Sequence, residues 1–240
     1  MCIQSILPGG GFFVSMKRAV IFANGSLPDP ESMRALLQPR DLILAADGGS
    51  RHLRRLGLTP AALIGDLDSI QPQERRRYES AGVMVEQHPR DKDETDLELA
   101  LRYALAKGCR VIRIAGALGG RLDQTIANLA LLSAPGLAEL DVRLDDGVEE
   151  AFFVRRSCQI LGAPGDLVSL IPWGHTANHV TTAGLRWPLK GERLSPHRSR
   201  GISNDMVSKK ATITLEAGLL LVVHRRQAVG SFVSRNRRKE

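Results

Sequence analysis

The sequence predicts an α/β fold: a parallel sheet with helices on both faces, followed by a small antiparallel all-β domain of sandwich-like form. Three observations predict it. Short apolar runs alternate with helix-periodic segments over residues 17–145. Helical periodicity fades after residue 148. From there Pro and Gly punctuate short β-rich runs. Alternating strands and helices pack as a parallel sheet between helical layers, whereas clustered short strands pair antiparallel.

The expected strands of the first half are Arg18–Ala23, Leu42–Ala46, Ala61–Ile64, Val83–Gln87, Arg110–Ala115 and Asp141–Leu144. Each is short, apolar and bounded by turn residues, as strands buried on both faces are. Asp29-Pro30-Glu31 reads as an N-cap, a first-turn proline and a first-turn acid. Leu97, Leu101 and Leu105 fall on one helical face. Leu122, Ile126, Leu129 and Leu132 predict the buried face of the next helix. The whole reads as a Rossmann-like domain over residues 16–147. In the second half, Ala151–Val154, Leu167–Pro172, Ala211–Leu215 and Leu219–His224 are the expected strands of a β domain over 148–240. Met16 directly precedes the first good strand. Residues 1–15 are therefore expected to be a disordered extension, or to precede the true start.

The 240 residues carry a net charge of +7, unevenly placed. Residues 151–240 hold 15 Lys+Arg against 5 Asp+Glu, and residues 1–150 hold 18 against 21. A basic half suits nucleic acid or a polyphosphate. Aromatic residues make up only 4%, which argues against base-stacking platforms and so against nucleic acid. The Arg235–Lys239 run reads as a solvated end. Cys2, Cys109 and Cys158 show neither a disulfide nor a zinc spacing, which fits a reducing cytosol. No apolar run reaches the roughly 18–20 residues that span a bilayer.

In an open α/β sheet, ligands bind beyond the carboxyl ends of the strands. Four successive loops at that edge carry Asp47-Gly48-Gly49-Ser50, Gly65-Asp66-Leu67-Asp68-Ser69, Lys92-Asp93-Glu94-Thr95-Asp96 and Gly116-Ala117-Leu118-Gly119-Gly120-Arg121-Leu122-Asp123-Gln124. Any one of them has an ordinary reading. Asp47-Gly48-Gly49 suits a turn. Asp68 or Ser69, and Asp93 or Thr95, suit helix caps. Asp123 suits a first-turn acid. All four on one rim do not, because gathered carboxylates repel unless a cation binds among them. Hard oxygens suit Mg²⁺, which keeps waters and bridges to phosphates. Lys92 and Arg121 then suit the phosphates, and the Gly116–Gly120 stretch lets backbone N–H groups approach an anion. The P-loop, dinucleotide, H-E-x-x-H and G-x-S-x-G signatures are absent. His175 and His179 lack a third ligand and read as structural or solvated.

Within these loops Ala46-Asp47-Gly48-Gly49, Gly65-Asp66-Leu67-Asp68-Ser69, Lys92-Asp93-Glu94-Thr95-Asp96 and Gly119-Gly120-Arg121-Leu122-Asp123-Gln124, taken in order, resemble the motifs of thiamine pyrophosphokinases. Ser169-Leu170-Ile171-Pro172, Gly184-Leu185-Arg186-Trp187-Pro188-Leu189 and Gly201-Ile202-Ser203-Asn204 are similar to that family's C-terminal blocks. The resemblance runs from residue 17 to 225. Leu67 and Leu122 stand where the family often has Phe, Ala117 where it often has Gly, and Arg186 where Lys is usual.

The resemblance implies transfer of the pyrophosphoryl group of ATP to thiamine, giving thiamine diphosphate and AMP. The cofactor would be Mg²⁺, the location cytoplasmic, and the assembly a homodimer with a shared active site. Asp66, Asp68, Asp93 and Asp96 are the expected metal ligands. Asp66, Asp96, Lys92 and Arg121 are the expected catalytic groups, with Asp96 or Asp66 as the base. ATP is expected at Asp47, Gly48, Gly49, Asp68, Lys92, Gly119, Gly120, Arg121, Asp123 and Gln124. Trp187, Ser203 and Asn204 are expected at thiamine, the indole stacking on a flat cation and the other two hydrogen-bonding its ring. The β domain would contribute to thiamine binding and to dimerisation. Three other readings remain open: a pyrophosphokinase for another heterocyclic alcohol such as a hydroxymethylpterin, a non-catalytic sensor, and a nucleic-acid binder. The last leaves the aspartates unexplained.

Overall fold

The structure is a computed structural model that describes residues 16–227. The N-terminal extension and the basic C-terminal end expected from the sequence lie outside the described residues. The chain divides into two units between Phe153 and Val154.

The first unit contains β1 (Arg18–Phe22), α1 (Pro30–Ala35), β2 (Leu42–Ala46), α2 (Ser50–Leu56), β3 (Ala62–Gly65), α3 (Pro72–Ser80), β4 (Met84–Gln87), α4 (Asp96–Ala106), β5 (Val111–Ala115), α5 (Leu122–Leu132), β6 (Asp141–Asp145) and β7 (Glu149–Val154). Its strand order is β7-β6-β5-β1-β2-β3-β4, parallel from β6 to β4. The chain winds outward from β1 to β4, returns to β5 on the other side of β1, and winds outward again. Successive right-handed crossovers then place α1–α3 and α4 on opposite faces. Accordingly Val20, Phe22, Ala45 and Leu63 pack with Met33, Leu53 and Leu56 of α1 and α2. The alternate residues Ala19, Ile21, Leu44 and Ile64 are equally buried, on the side where α4 covers β1, β2 and β3.

Local sequence sets the helix starts. Asp29 caps α1, accepting from Ser32 N at 3.1 Å, with Pro30 in the first turn. Thr95 caps α4, accepting from Glu98 N at 3.2 Å. Gln71 stands at the start of α3 and provides no side-chain cap, so Asp68 and Ser69 are not capping groups.

The expected apolar face of α5 is corrected. Leu122 is 73% exposed and Ile126 51%, while Asn128 and Leu132 are buried. The Asn128 amide donates to Ala117 O at 3.1 Å. Asn128 thus faces inward with Leu132, while Leu122 and Ile126 at the start of the predicted stripe face outward.

The turn after β6 brings β7 back antiparallel, with Leu144 opposite Ala151. The two glutamates that open β7 look unsuited to a buried strand, yet Glu150 is buried. Its Oε2 accepts from Arg143 Nη1 at 2.7 Å. Arg143 is only 2% exposed, donates through Nε to Asp141 Oδ1 at 2.7 Å, and lies 4.1 Å over the Phe152 ring. Arg113 donates to Asp141 Oδ2 at 2.8 Å. These charges are buried because each is paired.

The second unit contains β8 (Ser157–Leu161), β9 (Leu167–Pro172), β10 (Ala177–Ala183), β11 (Glu192–Leu194), β12 (Asn204–Asp205), β13 (Lys210–Thr214) and β14 (Leu220–Arg225). One antiparallel ladder runs β12-β9-β14 and another β11-β10-β13-β8. Four of these strands, β8, β10, β11 and β12, are additional to the expected runs. In β10 the register shifts between Ala177 and Val180, and His179 takes φ 51°. That irregularity interrupts the period-two pattern by which a strand is read. His179 pairs with Glu216 at 3.2 Å. Among the described residues no helix is long and apolar enough to cross a membrane.

The Asp141 cluster generates a pH prediction. Burial, the largest influence, pushes the Asp141 carboxyl up, but Arg143 and Arg113 outweigh it and hold it below its ordinary value. Its stabilising contribution is therefore full above the ordinary carboxylate pKa of about 4 and is lost as pH falls below it. Asp141→Asn should cost about 3 kcal/mol at pH 7 by urea denaturation, with a deficit that shrinks in acid. A deficit that stays constant down to pH 3 would contradict the assignment.

Candidate active site

The carboxyl edge of the parallel sheet gathers its acidic groups over Gly65. Carboxylate oxygens of Asp47, Asp66 and Asp68 lie within 4.8 Å of one another. Asp47 follows β2 directly in a short helical turn over Asp47–Gly49, with φ 41°. Gly65 ends β3, with φ 145°. A Cβ there would stand 2.9 Å from the Asp96 carboxyl and 3.1 Å from Asp47 Cβ. Only glycine permits that backbone and that approach.

Leu67 lies between the two aspartates at φ 62°, a costly conformation for a bulky residue. Its side chain is buried with Leu53, Leu56 and Ile70, and that burial offsets the strain. The turn folds Asp68 N back onto Asp66 Oδ1 at 3.1 Å and keeps both carboxylates on one side. Ser69 Oγ donates to Asp47 Oδ2 at 2.7 Å. The other oxygen, Asp47 Oδ1, is buried and has no hydrogen-bond partner. Such an atom costs roughly 1–3 kcal/mol unless something fills its coordination.

Asp96 starts α4 beside this group. Lys92 Nζ stands 3.0 Å from Asp96 Oδ1, an ion pair by distance whose direction leaves that oxygen without a hydrogen bond. Lys92 also donates to Pro89 O at 3.1 Å. Burial chiefly pushes the Asp96 carboxyl up; Lys92 opposes this, and Asp66 and Asp47 add to it. Four carboxylates, two buried oxygens without a hydrogen bond and no soft donor suit a hard divalent cation such as Mg²⁺.

The other expected residues fall into distinct places. Asp93 is exposed and outside the acidic group, which includes Asp47 instead. Gly48 and Gly49 serve close packing. A Cβ on Gly48 would stand 2.5 Å from the Asn24 side chain, and one on Gly49 would stand 1.8 Å from Phe22 O. Gly119 and Gly120 have φ 71° and 80° and run beside Ser26. Arg121 and Asp123 are exposed and paired through two hydrogen bonds, the Nε–Oδ1 one at 3.1 Å. Gln124 is exposed beside them.

In the second unit, Trp187 is 54% exposed, with the Arg186 guanidinium 5.7 Å from its ring centre. Asn204 is buried. It accepts from Trp187 N at 3.0 Å through Oδ1 and donates to Trp187 O at 2.7 Å through Nδ2. Its amide therefore holds the Trp187 backbone. Ser203, at φ 56°, donates its N–H to Ser169 Oγ at 3.0 Å and leaves its side chain exposed. From the sequence Ser69 suited a helix cap; its hydroxyl instead fixes Asp47, and its place in the Asp66-Leu67-Asp68-Ser69 turn was a usable signal for that.

Comparison with known proteins decides the family. The profile of the thiamin pyrophosphokinase catalytic domain matches residues 33–144, and that of the thiamin pyrophosphokinase vitamin B1 binding domain matches 155–220. The chain belongs to the thiamin pyrophosphokinase family. A thiamine pyrophosphokinase of Bacillus subtilis is 28% identical over 218 residues, covering 87% of this chain and 98% of its own. Thiamine pyrophosphokinase 1 of Arabidopsis thaliana is 25% identical over 243 residues, covering 91% and 90%. The crystal structure of the Bacillus subtilis protein has a TM-score of 0.79 at 29% identity, covering 88% of this chain and 100% of that one. The yeast family structure shares the fold at 17% identity, with a TM-score of 0.71 and coverage of 94% and 97%.

Gly65→Ala tests the acidic group. The added methyl should displace Asp96 or Asp47 and weaken Mn²⁺ binding, followed by electron paramagnetic resonance, by about 10–100-fold. Unchanged Mn²⁺ affinity in a folded variant would show that the carboxylates do not act together on a cation.

Proposed function

We infer that this chain transfers the pyrophosphoryl group of ATP to thiamine, giving thiamine diphosphate and AMP. The observation that carries this reading is the match of both family profiles, in order, to a chain whose sheet edge gathers Asp47, Asp66, Asp68 and Asp96 beside Lys92. In the reaction the hydroxyl oxygen of thiamine bonds to the β-phosphorus, and the bond from that phosphorus to the α,β-bridging oxygen breaks. AMP leaves with that oxygen. Phosphoryl-type transfer depends on positioning and on neutralising charge more than on covalent help.

Asp66, Asp68, Asp47 and Asp96 would hold Mg²⁺, which supplies neutralisation of the phosphate oxygens when bound. Lys92, already turned toward this group, contacts the triphosphate. Arg121 does so once released from Asp123, an exchange open to an exposed pair. Gly119 and Gly120 present backbone N–H groups to the phosphates. The proton of the attacking hydroxyl passes to a carboxylate of the group. Asp96 suits this best, since burial favours its protonated form.

The β unit supplies thiamine contacts through the exposed Trp187 face, with Asn204 fixing that residue's backbone and the Ser203 hydroxyl free to bond. Arg186 has to leave the ring face before a cationic thiamine stacks there. The assembly is a homodimer with a shared active site, as the family resemblance implies. A cytoplasmic location accords with Cys109, which is free and buried.

Product chromatography with Mg-ATP and thiamine tests the reaction. AMP and thiamine diphosphate should form in equal amounts, and Asp66→Ala should lower turnover by at least about a hundredfold. ADP with thiamine monophosphate would instead place the attack on the γ-phosphorus. Trp187→Ala should raise the KM for thiamine about tenfold, the scale of a desolvated cation–π contact, and leave the KM for ATP in place. An effect on ATP alone would remove Trp187 from the acceptor site.

A further inference from the structure

The two halves of the parallel sheet diverge between β1 and β5, where the chain winds outward in opposite directions. That switch point is where open α/β sheets leave a crevice for ligands. Two loops meet there. Gly25 N donates to Gly116 O at 2.7 Å, and Ala23 N to Ala115 O at 2.8 Å. Gly116 has φ 67°, and a Cβ on it would stand 2.5 Å from Ala23 O and 3.3 Å from His52 Nε2. Ideal Cβ positions on Gly119 and Gly120 lie 3.7 Å and 3.9 Å from Ser26 Cβ and Ser26 N.

Two side chains of α2 grip the first of these loops from behind. The Arg51 guanidinium donates through Nη2 to Asn24 O at 2.7 Å and to Gly25 O at 2.8 Å. His52 Nε2 lies 2.9 Å from Gly25 O. A carbonyl only accepts, so Nε2 carries the hydrogen. Burial, the largest influence, lowers the His52 pKa and favours the neutral ring. The ring is buried, whereas Arg51 is exposed.

Peptide planarity carries this grip forward. In a trans peptide the N–H points opposite to the C=O of the same unit. The Gly25 carbonyl is turned toward Arg51 and His52, so Ser26 N–H is turned away from α2. It makes no hydrogen bond among the described residues and adjoins the Gly120 backbone. An outward backbone N–H beside a glycine strap is an anion donor of the kind that nests provide.

We propose that Ser26 N–H binds a phosphate oxygen of the nucleotide at the β1–β5 switch point, and that His52 and Arg51 are the positioning residues that aim it. This rests on the reading of ATP as substrate. Neither side chain belongs to the acidic group or to the motifs from which the family resemblance was drawn, and each acts through a backbone carbonyl.

The test uses the full chain, with steady-state kinetics and calorimetric titration of α,β-methylene-ATP in the presence of Mg²⁺. His52→Leu removes the donor and should raise both the KM for Mg-ATP and the Kd of the analogue about tenfold, the scale of one well-made hydrogen bond. The KM for thiamine should stay within twofold of wild type. His52→Gln places an amide N–H near the same carbonyl and should recover most of the loss. Arg51→Ala, at an exposed position, should weaken nucleotide binding in the same sense.

Unchanged nucleotide KM and Kd in His52→Leu, or equal losses in the Leu and Gln variants, overturn the proposal. If His52→Leu does not fold, Arg51→Ala decides: unchanged nucleotide affinity overturns it, and selective weakening upholds it. Absence of AMP from the wild-type reaction overturns the substrate reading instead. Titration of the analogue against wild type and variants still tests the positioning proposal in that case.

Discussion

Like charges crowded at one sheet edge are the constraint on which the rest of this molecule depends. Asp47, Asp66 and Asp68 share a space a few ångströms across, with Asp96 beside them. Carboxylates repel in such a space, so the protein must supply the energy that holds them together. Leu67 does part of this, trading core burial against an unfavourable φ. Ser69 fixes one oxygen of Asp47, and Lys92 sits against Asp96. The absence of a side chain at Gly65 leaves the room the group occupies. The fold thus spends stability to assemble a charge density that only a bound cation neutralises in full.

The same unit handles charge differently away from this edge. Arg143, Asp141, Glu150 and Arg113 are interleaved so that nearly every donor meets an acceptor. The contrast gives the two regions different meanings. In the Arg143 network opposite charges offset one another, whereas at the sheet edge like charges gather around two buried oxygens that have no hydrogen bond. The β unit repeats the logic on a smaller scale. Asn204 spends its amide on the Trp187 backbone, so an exposed aromatic sits on a fixed support.

Much of the fold was legible because it is encoded locally. Apolar runs with flanking turn residues located all six parallel strands of the first unit. Asp29, Pro30 and Glu31 announced α1 in three letters. The acidic loops were legible as a set because strands that succeed one another in a parallel sheet deliver their carboxyl ends to a common edge. Legibility failed where a neighbour distant in sequence sets the outcome. The leucines of α5 suggested a buried stripe, but Leu122 and Ile126 are exposed, and Asn128 lies inward with Leu132, bonded to Ala117 O. The strand β10 was hidden by its irregular register. The sequence placed Asp47 on the acidic rim with the ATP-binding residues, and the pairing of β2 with β3 brings it to Asp66.

The sequence by itself determined the βαβα order, the switch to antiparallel β after the first unit, the Asp29 cap of α1 and the four acidic or glycine-bearing loops. These follow from periodicity, from the φ preferences of Gly and Pro, and from side chains that bond within a few residues. Tertiary structure alone decided which carboxylates share a space, which glycines exist for packing, and which side chains grip a distant backbone. His52 and Arg51 reach the carbonyls of a loop more than 25 residues earlier in the chain, and no spacing rule relates them. The physical reason is that such contacts depend on two strands lying side by side in the sheet, and pairing distance is not written in the residues that pair.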